Sequence, residues 1–190
     1  MKSTWFVGAL CLSGVVMAEP QPVDMPTLQS EAKVLIQSLA ANLSAELQQA
    51  ISTGGLAAGL HVCNLKAQPL THAVTEGSEW RVGRTSLKLR NPDNAPDSWE
   101  LKVLQDFQIQ AAAGADLMTL AYAEVLVEDD GRRVYRMMKA IPIGEKCLAC
   151  HGSEVKQEVQ NTLETLYPQD QARGFAVGDL RGAFSVRKTL

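Results

Sequence analysis

Apolar residues recur every three or four positions between Thr27 and Ser52, and this spacing predicts a long amphipathic helix near the start of the chain. The Gly54-Gly55 pair follows and is expected to end the helix. A shorter helical pattern then runs over 56–65. Two more helices are predicted over 98–113 and 153–166, because apolar residues again fall on one face.

Alternation of apolar and polar residues predicts four strands, over 80–89, 117–127, 132–141 and 182–186. The second and third are joined by Asp129-Asp130-Gly131, which is typical of a hairpin turn. Helices and antiparallel strands mix here without the regular alternation of a parallel sheet. The predicted fold class is therefore α+β, with a long helix at the N-terminus.

The first residues have the pattern of a secretory signal peptide. Lys2 supplies the positive charge, 5–16 is a short apolar run, and Val16-Met17-Ala18 is a small-x-small cleavage site. The run is too short to span a bilayer. We therefore predict a signal peptide over 1–18, one domain over 19–190, and a periplasmic protein without stable membrane insertion.

The net charge of the chain argues against some classes of binding partner. The chain has 18 Lys and Arg residues against 21 Asp and Glu residues, a net charge of −3. A mildly acidic protein is not expected to bind nucleic acid or an anionic membrane surface, both of which attract basic patches.

The most specific motif is Cys147-Leu148-Ala149-Cys150-His151, a C-x-x-C-H sequence. This is the attachment motif of a c-type haem, in which Cys147 and Cys150 form thioethers with the porphyrin and His151 binds the iron. A zinc site and a thioredoxin-like disulfide are the alternatives. A histidine directly after the second cysteine is awkward for tetrahedral zinc, and a thioredoxin motif follows a parallel strand. The predicted cofactor is one covalently attached haem c.

The residues alone do not identify the second iron ligand. Methionine is the common distal ligand of c-type iron, and histidine is another. Cys63 is also a candidate, although a cysteine is often just a small buried apolar side chain. The competing side chains are Met118, Met137, Met138, His61 and His72.

Basic residues are candidates for pairing with the haem propionates. Alternation along the predicted strand puts Arg84, Lys88 and Arg90 on one face, where they either pair with propionates or face solvent. Arg136, shortly before the haem motif, is a further candidate. Tyr135 is expected either to cover the haem or donate to a propionate, or to pack in the core.

Three separated blocks of sequence resemble a known family. They are GRTSLKLRNP with NAPDSWE over 83–100, the stretch from Tyr135-Arg136 to CLACHG over 135–152, and RGAFSV over 181–186. The chain resembles secreted bacterial and cyanobacterial PAS-like domains with a single c-type haem, first catalogued as a domain of unknown function. The resemblance implies an antiparallel sheet flanked by helices, iron bound by His151 and Cys63, and a redox or gas-sensing role.

These expectations lead to a primary hypothesis and an alternative. The first is a periplasmic monohaem cytochrome that senses redox state or a diatomic gas, with that gas or a redox protein as its partner. The alternative is a soluble electron-transfer cytochrome between respiratory partners. We do not expect an enzyme, because a peroxidase needs an acid–base group beside an open iron position and only His61 is a candidate.

Overall fold

The computed structural model describes residues 22–190, so the predicted signal peptide over 1–18 lies outside the described residues. Within this range the α-helices are Met25–Ala73 (α1), Ser98–Ala112 (α2), Leu148–His151 (α3) and Gln157–Leu166 (α4). The strands are Trp80–Thr85 (β1), Ala121–Val127 (β2), Arg133–Pro142 (β3) and Leu180–Thr189 (β4). No helix among these residues is both long enough and apolar enough to cross a membrane.

The strands form one antiparallel sheet in the order β1-β4-β3-β2. The C-terminal strand β4 therefore lies in the middle, with Val186 opposite Val82 on one side and Met137 on the other. Helices flank this sheet, and a long helix precedes it. The predicted α+β class is confirmed, and the arrangement is consistent with a PAS-like fold.

Helix α1 is broken into two segments that pack against each other. Gly54 and Gly55 leave helical geometry, and Gly55 has a φ of 73°, which favours glycine. In a straight helix, residues 20 positions apart would be about 30 Å apart. Lys66 nevertheless lies 2.7 Å from Glu46, so the second segment folds back along the first. The predicted break at Gly54-Gly55 is confirmed, and the second segment continues past residue 65 to Ala73.

Two apolar clusters cover the two faces of the sheet. Neighbouring residues of a strand point to opposite faces, as Met137 and Met138 of β3 do here. The first segment of α1 packs on the Met137 face, where the buried residues are Leu28, Ala32, Ile36, Leu39, Trp80, Val82, Tyr135, Met137 and Val186. Helix α2 packs on the Met138 face, where the buried residues are Val103, Leu104, Phe107, Leu117, Met138, Ala140 and Ala183.

Strand β1 ends at Thr85, four residues before the predicted end. The hydroxyl of Ser86 accepts from the Lys88 N–H and lies 2.6 Å from the Arg181 carbonyl oxygen, to which it donates. These bonds turn the chain out of the sheet. The prediction that Arg84, Lys88 and Arg90 share one strand face is therefore wrong, because the last two lie in the loop after β1.

Candidate haem-attachment site

The C-x-x-C-H motif forms a tight helical turn directly after β3. A 3-10 turn over Glu145–Cys147 leads into α3, which ends at His151. The Gly152 N–H donates to the Leu148 carbonyl at 2.9 Å, and a Cβ at Gly152 would lie 2.8 Å from that oxygen. A larger residue there would clash with the turn. The preceding strand is antiparallel to its neighbours, unlike the parallel strand before a thioredoxin motif.

The imidazole of His151 has one nitrogen in a fixed role. Its Nδ1 lies 2.8 Å from the carbonyl oxygen of Ala172. A carbonyl only accepts, so Nδ1 carries the hydrogen and Nε2 keeps its lone pair. Burial, followed by the charges of Arg90 and Arg181, lowers the pKa of His151 to about 3. The ring is therefore neutral near pH 7, which is the form that binds a metal.

The loop over 170–175 holds this histidine from the backbone as well. The Gly174 N–H donates to the Gly152 carbonyl at 3.1 Å, and the Phe175 N–H donates to the His151 carbonyl at 3.0 Å. The Phe175 ring stands edge-on to the imidazole, with 6.2 Å between ring centroids. Together these contacts fix both the position and the plane of the His151 ring.

A buried ion pair ties the same loop to the motif. Arg90 donates from Nε and one terminal nitrogen to Asp170, at 3.1 and 3.2 Å. That terminal nitrogen also bonds the carbonyls of Cys150 and Ala172. Burial alone would raise the pKa of Asp170, but its bonds from Arg90 and Arg173 and from the Ala172 N–H hold it below its usual range. Arg90 thus clamps the attachment turn.

Two more guanidinium groups lie close to the motif. Arg84 is largely buried near Cys63 and Tyr167, and its guanidinium makes no hydrogen bond or ion pair with another described residue. Arg181 donates to the Ser86 hydroxyl at 2.9 Å and the Lys88 carbonyl at 3.1 Å. Burial, and next the charges of Arg90 and Arg84, lower the pKa of Arg181 to about 10. Sequence reasoning singled out Arg181 only as part of the RGAFSV block.

The fold brings Cys63 to the motif although it is distant in sequence. It is half-buried on the second segment of α1, one helical turn after Leu60. Leu60 belongs to the apolar cluster of α1 and α4 against which Cys150 packs. Burial raises the pKa of the Cys63 thiol, and the nearby Arg84 and Arg90 partly oppose this.

The other candidates for the distal ligand occupy different places. Met137 and Met138 are buried in the clusters on opposite faces of the sheet. Met118 is 66 % exposed before β2, and both His61 and His72 are exposed on α1.

The remaining residues predicted to bind the cofactor contact other protein groups. They are Lys88, Tyr135 and Arg136. Lys88 is exposed and lies 4.8 Å above the Phe175 ring. Tyr135 is fully buried in the cluster under α1, with its ring edge-on to that of Trp80. Arg136 pairs with Asp97 at 2.7 Å at the start of α2. These contacts support the core-packing interpretation of Tyr135 and give Arg136 a role in holding α2.

The class of protein follows from these features: an α+β fold in which a helical hairpin and an antiparallel sheet frame a Cys-x-x-Cys-His turn. A family model described as Tll0287-like matches residues 25–188, and the chain belongs to this family. It is similar to the crystal structure of the cyanobacterial heme-protein Tll0287, with a TM-score of 0.59 and 25 % sequence identity over 87 % of this chain and 95 % of that chain. No curated protein matches the sequence.

Proposed function

We propose that this protein carries one covalent haem c on Cys147 and Cys150, with His151 and Cys63 binding the iron. The observation that carries the proposal is the His151 imidazole, which donates from Nδ1 to Ala172 and leaves Nε2 free as a metal ligand. The motif, the neighbouring Cys63 and the likeness to a heme-protein of cyanobacterial origin support the same assignment.

The charges around the motif fit this cofactor. Arg84, Arg90 and Arg181 place three largely buried cations near the motif, and Asp170 is the buried carboxylate that pairs with one of them. Buried cations without partners are costly. Two haem propionates supply two negative charges, and Arg84 and Arg181 are the residues we propose to pair with them. Because Arg84 and Arg181 account for both propionates, Lys88, on the rim beside Phe175, is not needed for this pairing.

The two ligands differ in how firmly the protein holds them. His151 is fixed by Ala172 and Phe175, whereas the Cys63 thiol makes no hydrogen bond to another described residue. Haem supplies an iron that changes oxidation state and binds diatomic gases when a position is open. Because burial raises the pKa of the Cys63 thiol, a thiolate that leaves the iron would take up a proton from the solvent. We therefore propose a redox or diatomic-gas sensor in which Cys63 is the ligand that leaves.

This proposal includes export to the periplasm and assigns the protein no catalytic role. The segment 1–18 would direct the chain to the periplasm, where c-type haem is attached, and would then be removed. The partner would be a diatomic gas or a redox protein. We do not propose an enzyme, because the nearby histidine, His61, faces solvent.

One observation favours the alternative function, electron transfer. Cys147 is exposed, so a haem bonded to it would have an edge near the surface, where a redox protein docks. An electron carrier keeps both ligands in both oxidation states. A sensor of the proposed kind exchanges Cys63.

Two measurements test these proposals. The purified mature protein is first weighed in denaturant, and a mass without one added haem would reject covalent attachment. Spectra are then recorded across a redox titration with and without carbon monoxide. We expect the reduced protein to lose the thiolate spectrum and bind carbon monoxide. Unchanged ligation in both states and no gas binding would support electron transfer instead.

A further inference from the structure

A cavity of about 360 Å³ lies between the C-terminal half of α2 and the loop that leads into β4. Its volume falls at the lower end of the range of small-molecule sites. The cysteines and histidine of the attachment site do not line it. One of its walls is Phe175, whose ring stands edge-on to His151. The cavity is therefore adjacent to the candidate haem site and shares the wall residue Phe175 with it.

Most of the wall is apolar, formed by Leu104 and Ala111 of α2 with Leu180 and Phe175 opposite. The backbone approaches closely on one side because residue 182 is glycine. A Cβ at Gly182 would collide with the Thr85 carbonyl, so the two backbone segments are in direct contact there. The space suits a branched or aromatic apolar group.

Two opposite charges also line the cavity, and both retain bonding capacity. The Lys88 ammonium donates one hydrogen bond, to the Arg173 carbonyl at 3.2 Å, and has two further N–H groups. Asp179 accepts from the Ala176 N–H through one oxygen, at 2.7 Å, and its other oxygen accepts nothing from the described residues. The lining thus offers one cation and one anion beside an apolar wall.

We propose that this cavity binds an α-amino acid with an apolar side chain. Its carboxylate would pair with Lys88, its ammonium with Asp179, and its side chain would lie against Leu104 and Phe175. A simple anion would be opposed by Asp179, and a simple cation by Lys88. A zwitterion satisfies both charges without adding a net charge.

A bound amino acid would also contact Phe175, whose ring packs against His151. The Phe175 N–H bonds the His151 carbonyl and the ring contacts the imidazole, so a ligand that contacts Phe175 changes the surroundings of the iron ligand. This second step rests on the proposed haem function, whereas binding itself does not.

Isothermal titration calorimetry on the purified full mature chain tests binding. The probes are L-leucine, L-valine and L-phenylalanine. 4-Methylpentanoate, which lacks the ammonium of leucine, and 3-methylbutan-1-amine, which lacks the carboxylate, serve as comparisons. We expect at least one amino acid to bind saturably, and each comparison compound to bind about tenfold more weakly or not at all. The absence of saturable binding by all three amino acids would overturn the proposal. Equal binding of either comparison compound would overturn the zwitterion assignment.

Matched variants locate the site. Ala111→Phe fills the cavity and should weaken binding at least about tenfold, whereas Ala113→Phe, just past the end of α2 and outside the lining, should leave it unchanged. Asp179→Asn lies in an exposed loop and should weaken binding without unfolding, as checked by circular dichroism. Binding that survives Ala111→Phe or Asp179→Asn in folded protein would contradict this site.

The haem spectrum separates the two proposals. A shift of the haem absorption on adding the amino acid would support coupling through Phe175. Saturable binding to a protein without haem would leave the cavity assignment standing while the proposed function fails. Binding without any spectral shift in the haem protein would reject the coupling alone.

Discussion

The carboxylate of Asp170 accepts two hydrogen bonds from the guanidinium of Arg90, at 3.1 and 3.2 Å, in a site almost closed to solvent. The same guanidinium bonds the carbonyls of Cys150 and Ala172. One buried pair therefore connects the loop after β1, the attachment turn, and the carbonyl that orients His151. Loss of this pair should affect folding and cofactor binding together.

Replacing Asp170 by asparagine should destabilise the protein strongly. The change leaves the Arg90 charge buried without its counter-charge, and breaking a buried pair in this way costs about 3–5 kcal/mol. Urea unfolding of the purified protein gives the difference in the free energy of unfolding. We also expect less haem per chain, because the clamp on Cys150 and Ala172 is loosened.

The matched control is Asp106→Asn on the exposed surface of α2, where the carboxylate bonds Gln110. A surface change of this kind should stay within about 0.5 kcal/mol. Equal stabilities for the Asp170→Asn and Asp106→Asn variants would show that the buried pair does not hold the site.

Replacing Cys63 by alanine tests the distal ligand. The haem should remain attached through Cys147 and Cys150, so the mass should fall only by the sulfur of residue 63. The ferric spectrum should change and the reduction potential should rise, because a thiolate donates charge to ferric iron and stabilises it. Spectroelectrochemistry measures both effects.

His61→Ala is the control for Cys63→Ala, because it changes an exposed side chain on the same segment of α1. Its spectrum and potential should match those of the unmodified protein. If His61→Ala alters the ferric spectrum while Cys63→Ala does not, the assignment of Cys63 is wrong.

Local sequence patterns predict the elements of this fold better than their ends. The break at Gly54-Gly55 was predictable because glycine tolerates a φ of 73° and the apolar spacing stops there. The end of β1 could not be predicted from local sequence patterns. It depends on the bond between the Ser86 hydroxyl and the Arg181 carbonyl, which joins segments far apart in sequence.

In the candidate site, too, some features can be predicted from the sequence and others cannot. The C-x-x-C-H spacing is what the proposed covalent attachment of haem requires, so it is visible in the sequence. The role of Ala172 is not visible in the sequence, because Ala172 acts through its backbone carbonyl, a group that every residue possesses. Alternation separates the faces of Tyr135 and Arg136, but it does not say which helix covers each face. That assignment comes from the packing of α1 and α2 on opposite sides of the sheet.

The turn within α1 should depend on glycine at position 55. Gly55→Ala forces an L-residue to a φ of 73° and a ψ of −169°, a region that essentially only glycine adopts, which costs about 1–3 kcal/mol. Gly83→Ala is the matched control, since Gly83 has no positive φ and a Cβ there meets nothing within 4 Å. Urea unfolding should show a loss for the first variant and no comparable loss for the second. Similar stabilities for both would mean that the turn tolerates other residues.

The start of α2 should lose stability in acid. The Asp97 carboxylate accepts from the N–H groups of Trp99 and Glu100 and from Arg136. Burial alone would raise the pKa of Asp97, but these bonds together hold it below its usual range. The ionised form therefore stabilises the fold above the pKa of the unfolded chain, and this contribution is lost as the pH falls through the lower pKa of the folded chain.

Asp97→Ala should accordingly cost about 1 kcal/mol at pH 7, the usual cost of losing a helix N-cap. The difference in unfolding free energy between this variant and the unmodified protein should shrink as the pH is lowered through the folded pKa of Asp97. Asp93→Ala, in the exposed turn just before the helix, should stay within about 0.5 kcal/mol at pH 7. Urea titrations at a series of pH values measure these differences. If the difference in unfolding free energy between Asp97→Ala and the unmodified protein stays constant down to the lowest pH, Asp97 does not stabilise α2 through its charge.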